Sequence, residues 1–546
     1  MKKQFLYIAN RFRNTKLATL SLVLVLVMGA SSCKKLTDVG PISNEDASKY
    51  YKDYKEVNVA LAGCYNGMQA PLVTEWMLTE LRSDNAKQRS TGSTTNTNQE
   101  LNVLNLYTVS PQHQQVYNYW LNVYSNIRNI NYVLRSLGIT YDGNGHLVYG
   151  EPTANVTNAQ KAELAGQALF LRAYHYFNMV RLFGGVFLIA EPVTPTQVKG
   201  INRSSVQDCY NFIISDLQAA SEQAGASKYA QIPVNTLGKA NSWSAKALLA
   251  KVYLTMPSPR PDLALPLLDD VITNSGYGLE SSFSRVFSVN NEMNQEILFA
   301  VRYKAGLVGL GNFMANSFAP ASSGDAVING DGSGFNYPTS NINAAFSTPV
   351  TGFKDSRKDA TIAVYANSTT PLYVNKFMSK VVIKDDAEND FPVIRFSDVL
   401  LMKAEALGYD GAAGISVGLI NRIRERAGAG NYTTGTFGSA FYKYPATGTP
   451  ALTNATTFKA ALLNERRLEL AFENQRFFDM VRFGEAVDIM KNYYSAEYST
   501  HYGKYKPQIA LADLQANVTT QKLLLPIPQR EIDTNTQIEI AQNSGY

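Results

Sequence analysis

Between Ala162 and Gly276 the apolar residues recur at helical spacing in four successive blocks, and this pattern constrains the fold more than any other feature. In AELAGQALFLRAYHYFNMVRLFGG (162–185), Ala165, Leu169, Ala173, Tyr176, Phe177 and Val180 share one helix face. Gly184-Gly185 then supplies a helix stop. A second helix is predicted over 205–224, and a third over 242–255 with Ala245, Leu248, Leu249 and Val252 on one stripe. Its small residues Ala245, Ala247 and Ala250 let a neighbouring helix approach closely. Pro261 opens a fourth at the favoured first-turn position, closing near Gly276. Helices of this size joined by short turns bury their stripes against one another, which predicts a mostly α protein.

The layout resembles tetratricopeptide repeats, although the 34-residue consensus of that motif is not repeated. Further helices are expected over Asp46–Met68, ending near Gly67 and Pro71, and over Gln114–Leu137. Others are expected over 397–408, 415–427 and 456–482. Between them run polar, Gly- and Ser-rich stretches without periodicity, read as loops near 83–105, 305–395 (densest at 305–345) and 428–457. Loops this long on a rigid frame usually carry function.

The N-terminus reads as an export signal. Lys2, Lys3, Arg11, Arg13 and Lys16 precede an apolar run from Leu17 to Ala30 that is short for a bilayer span. Ala30-Ser31-Ser32-Cys33 resembles the lipobox of bacterial lipoproteins, with Ala30 where Leu is more usual. Residues 1–32 are therefore expected to be removed, leaving an acylated Cys33 as the anchor of a single domain over 33–546. The signal carries five of the 50 basic residues and no acid, so 45 basic residues remain against 45 acidic ones. A neutral mature chain has no basic footprint for nucleic acid. Cys64 and Cys209 are expected to be buried free thiols rather than a disulfide framework.

Four segments, in register, resemble the SusD/RagB family of nutrient-binding outer-membrane lipoproteins. They are LRAYHYFNMVRLFGGVFL (171–188), RFSDVLLMKAEAL (395–407) with INRIRERAG (420–428), ERRLELAFENQRFFDMVRFG (465–484) and LLLPIPQREIDTNTQIEIAQNSGY (523–546). The resemblance implies a surface protein that captures oligosaccharides, or in some branches peptides, and passes them to a SusC-like TonB-dependent outer-membrane transporter. It implies no catalysis and no cofactor. It also implies a ligand site on loops away from the repeat-like helices. The motifs themselves read as packing elements: Arg466–Glu469, Glu473–Arg476 and Asp479–Arg482 are opposite charges three apart that can meet on a helix. Leu468, Phe472 and Phe478 can face the core, and Pro526 and Pro528 fix an extended segment near the C-terminus.

No signature of metal or nucleophilic chemistry stands out. His113, His146, His175 and His501 have no zinc-motif spacing, and Asn329, Asp331, Ser333 and Gly334 lack the Glu that would complete a calcium loop. Asp142-Gly143-Asn144-Gly145 reads as turns. A glycan hydrolase needs two facing carboxylates, and none is singled out. A helical adaptor without a small ligand would leave the aromatic loops unexplained. Sugar rings present apolar faces that stack on aromatic rings, so aromatics within polar loops are the binding candidates. In TEWMLTELRSDNAKQR (74–89) these are Trp76, Arg82, Asp84 and Asn85, and in 305–345 they are Phe313, Phe318, Phe335 and Tyr337. On this reading Trp76→Ala weakens ligand binding without unfolding the protein. Trp120, Tyr124 and Trp243 fall in helical patterns and read as core.

Overall fold

The computed structural model describes residues 50–88, 96–346, 355–368, 371–428, 443–444, 452–535 and 537–546. The signal peptide, Cys33 and the start of the helix expected at Asp46 lie outside these residues, as does most of the 428–457 stretch. The first helix, α1, is Tyr54–Asn66, opened by the Asp53 carboxylate accepting from the Glu56 amide at 3.0 Å. Pro71 does not end it. A second helix, α2 (Gln69–Thr79), begins just beyond, with Pro71 in its first turn, where the missing N–H has no helical partner to lose. The polar stretch expected as loop contains α3, Asn96–Asn105. Its periodicity was hidden because only Leu101 and Leu104 among its side chains are apolar and buried, while the Asn105 amide is spent on Leu81 O at 2.8 Å.

The four blocks form as the spacing predicts. After α4 (Gln114–Ser136) come α5 (Asn158–Phe183), α6 (Val206–Gln223), α7 (Ser242–Thr255) and α8 (Pro261–Asn274). Each packs on the next. A capping box between Thr157 and Gln160 opens α5, and Gly184 closes it at φ +73°, a conformation that suits glycine. From Leu164 onward only Arg181 in α5 is less than buried, so this helix is central rather than amphipathic. Its polar groups are paired: Arg172 forks onto Asp216 of α6 with both bonds at 2.8 Å. Gly166 lets the end of α6 come close, since a Cβ there would lie 2.5 Å from the Ala224 backbone nitrogen. Cys64 and Cys209 are free and buried.

The stack resumes after a long insertion. Helix α9 (Phe396–Leu407) packs on α8, and α10 (Ala413–Gly428) packs on α9. The insertion leaves and returns through two antiparallel strands, Ile297–Val301 and Phe391–Arg395, whose residues are all buried. Inside it lie short elements rather than one loop, among them helices at Met314–Phe318 and Ser340–Ala345.

The helix expected over 456–482 is two helices, α11 (Ala455–Glu469) and α12 (Arg476–Arg482). Between them Phe472 and Asn474 adopt φ +63° and +59°. The expected local ion pairs explain the break, because two of the three form elsewhere. Asp479–Arg482 meets at 2.8 Å, but Arg466 bonds Asp398 and Asp479, and Arg476 bonds Asp84. Glu469 and Glu473 both turn to Arg395, at the end of the second insertion strand. Arg395 also bonds Glu296 at 2.6 Å, and Glu296 and Glu469 are shared with Arg426 of α10. With Arg357, Asp355, Glu465, Arg424 and Lys376 the buried set comes to five basic and five acidic groups among the described residues. Helix α13 (Ala486–Glu497) follows. A last turn of helix, α14 (Gln529–Thr534), comes after Pro526 and Pro528, where the Leu525 amide donates to Leu182 O at 2.7 Å.

Removing one partner of a buried ion set strands the others without solvent. Arg395→Met is expected to cost about 3–5 kcal/mol in denaturant unfolding, whereas Arg260→Ala, which breaks the exposed pair with Asp262, leaves the midpoint unchanged.

Candidate functional site

The two candidate segments of the sequence meet in space. Strand Ala86–Lys87 pairs antiparallel with Tyr337–Pro338, and the Thr339 amide donates to Asn85 O at 2.9 Å. The 74–89 segment is therefore stitched to the 313–346 part of the insertion. Two arginines from α11 and α12 secure the seam from beneath. Arg476 forks onto the Asp84 carboxylate at 2.7 and 3.0 Å, and Arg467 reaches Asn85 Oδ1 at 2.8 Å and Asn341 Oδ1 at 2.7 Å. These guanidinium groups outweigh desolvation and hold the Asp84 carboxyl down at about 2.

The candidates differ in depth at the seam. Trp76, Arg82, Asp84, Asn85 and Tyr337 are all buried, each below 5 % exposed. Trp76 stacks on Phe335 at 6.1 Å between ring centres and meets Phe318 edge-on at 5.3 Å. Arg82 donates to Lys522 O and Leu523 O and lies 4.2 Å over the Phe477 ring, so it clamps the C-terminal segment. These five lie beneath the surface, and the expectation that Trp76 is a platform is corrected accordingly. The physical reason is that α2 faces inward almost throughout its length. Phe313 and Phe335 remain half-buried, with Phe335 resting on Trp76. Asp331 and Asp142 serve turns, as their spacing predicts: Asp331 accepts from the Gly324 and Gly332 amides, and Asp142 from those of Asn144 and His146.

A concavity elsewhere escaped the sequence reading. A groove of about 560 Å³ lies between α4, the 187–201 segment and α14. Trp120 is core as expected, edge-on to Phe183 and Phe187, but its side also borders the groove. Tyr124 is only half-buried and forms part of the wall. The signal was present in the sequence: Trp120, Tyr124, Arg128 and Tyr132 recur every four residues along α4, a row that starts in the core at Trp120 and runs out beside the core stripe.

Two outcomes follow for the seam. Trp76→Ala is expected to lower stability by about 3–5 kcal/mol, read by denaturant unfolding, because it empties a large enclosed volume. Glu80, beside the seam, accepts from the Asn474 amide at 2.8 Å, yet burial pushes its carboxyl up from 4.5 to about 8. The folded protein thus holds a proton that the unfolded chain releases between those values, so this group's contribution declines as pH rises from 4.5 to about 8. Glu80→Gln is expected to flatten that part of the pH–stability profile.

The geometry agrees with comparisons to known proteins. A profile of the SusD family matches residues 325–546, and one described as "Starch-binding associating with outer membrane" matches 44–254. SusD-like protein P25 of Formosa agariphila is 23% identical over 575 residues, spanning 97% of this chain and 100% of that protein. A SusD-like protein of Bacteroides ovatus is 25% identical over 462 residues, 70% of this chain and 74% of its own length. Among solved structures, a laminarin binding SusD-like protein superposes with TM-score 0.70 at 24% identity, covering 91% of this chain and 100% of that one. Surface glycan-binding protein A from Bacteroides thetaiotaomicron, in complex with laminarihexaose, gives 0.68 at 18% identity, covering 90% and 99%. These likenesses establish the helical fold expected from the sequence. With both profiles matched in order along the chain, and relatives aligned from end to end, the chain belongs to the SusD/RagB family.

Proposed function

We propose that this protein is a cell-surface lipoprotein that binds oligosaccharide or polysaccharide nutrients and delivers them to a TonB-dependent outer-membrane transporter. The observation that carries the reading is a fold shared over nine-tenths of the chain with structures named for laminarin binding and for a laminarihexaose complex. Two solved structures of this fold are named as binding proteins, which supports capture rather than catalysis. The anchor is Cys33 after removal of residues 1–32, in a single domain over 33–546. Among the described residues no helix is long and apolar enough to cross a membrane, which fits attachment by acyl chains. The family description that mentions outer-membrane association supports the same location.

The ligand face is the surface over the 86–87 and 337–338 seam, with Phe313 and Phe335 as its rings. Half-buried rings suit this work: they are held by packing, so stacking costs little ordering. Shallow stacking gives modest affinity and rapid release, which handover requires.

Native electrophoresis of residues 34–546 through gels containing laminarin or starch tests the reading. Retardation by one of them is expected, and Phe335→Ala is expected to reduce it with no change in melting temperature. Migration unaffected by any polysaccharide, together with binding of peptides, would move the cargo to peptide.

A further inference from the structure

The geometry points to a second saccharide site, in the groove between α4, the 187–201 segment and α14, separate in its residues from the loop seam. The ligand class rests on the carbohydrate-binding reading above; the site itself rests on its own construction. Its volume of about 560 Å³ falls within the range of small-ligand sites, about 300–1,000 Å³.

Tyr124 and Tyr132 both line the groove, and the Arg135 guanidinium lies 4.9 Å over the Tyr132 ring and holds it. Tyr124 and Tyr132 stand eight residues apart on α4, about 12 Å of helix rise, a length that spans more than one sugar ring. The Tyr124 hydroxyl donates to Phe187 O at 2.9 Å, which fixes the ring. The 187–189 backbone is itself pinned, because Ile189 O accepts from Asn131 Nδ2 at 2.7 Å and from the Tyr176 hydroxyl at 3.2 Å. The wall is thus ordered before any ligand arrives.

The polar groups select a neutral, hydroxyl-rich ligand. Arg128 and Lys199 supply donors, and Glu191 and Glu531 supply acceptors. Two positive groups against two negative ones favour neither a polyanion nor a polycation, whereas sugar hydroxyls can donate to one pair and accept from the other. Glu531 is the most telling member. It is half-buried, Arg530 is the charge that opposes its desolvation, and its carboxylate has no hydrogen bond to another described residue. A carboxylate left in that state gains most from a hydroxyl donor.

Titration of residues 34–546 with laminarihexaose, maltohexaose and xylohexaose, followed by calorimetry, separates the alternatives. At least one sugar is expected to bind two classes of site on the native chain. Tyr132→Ala and Glu531→Gln should each weaken one class by about tenfold and leave the other intact. Phe335→Ala should do the reverse, and unchanged thermal melting certifies the fold of each variant. If both groove variants bind like the native chain while Phe335→Ala loses binding, the groove inference is overturned and the carbohydrate reading stands. If the native chain binds none of the three sugars, the carbohydrate reading fails and the ligand class assigned to the groove fails with it.

Discussion

Ten charged groups buried around Arg395 are the constraint on which the rest of this structure depends. A guanidinium or carboxylate taken from water loses several kcal/mol of hydration, recovered only if its neighbours are opposite in sign and well placed. Among the described residues the set is balanced at five and five, and Arg395 alone bonds Glu296, Glu469 and Glu473. Several arginines keep Glu469 far below the ordinary carboxylate range despite its burial. Such a set contributes more to register than to net stability, because any other arrangement of the chain leaves a charge stranded.

Its members come from distant parts of the chain, and that dictates the architecture. Glu296 precedes the first insertion strand, Arg395 ends the second, Arg426 lies on α10 and Glu469 ends α11. The insertion can therefore leave the helix stack and return without loosening it. At the break between α11 and α12, Glu469 ends the first helix and Glu473 lies in the turn, and both bond Arg395. The neighbouring arginines of this region, Arg467 and Arg476, reach the Asp84 turn and hold up the loop seam. The conspicuous charged motif of the family thus acts beneath a surface rather than on it.

The seam and the groove share one mode of construction, in which buried polar bonds fix a segment whose outer rings stay partly exposed. At the seam, Trp76 stacks under Phe335; in the groove, a carbonyl of the 187–201 segment holds the Tyr124 ring. Ordering is completed by folding, so a weak ligand meets a prepared surface. The interior side chains that looked most like ligand contacts, Arg82 and Asp84, are spent on this preparation.

The sequence by itself determined the helices and their order, because a 3.6-residue apolar period is a local property that any helical partner must satisfy. The stripe of α5, the Gly184 stop and the Pro261 start are legible without coordinates for that reason. It also singled out 74–89 and 305–345 as binding candidates, since rings and hydrogen-bonding groups crowd there. Tertiary structure decided everything that depended on distant partners. A residue type does not state which charge it will meet, so Glu469 and Glu473 looked like local helix pairs until Arg395 drew them away. Nor does a residue type state its depth: Trp76 went inside because α2 is covered on nearly every side, and Tyr124 stayed at a groove because its stripe runs beside the core. Pairing and burial are properties of the assembled chain, set by the desolvation of groups far apart in sequence, and no local period encodes them.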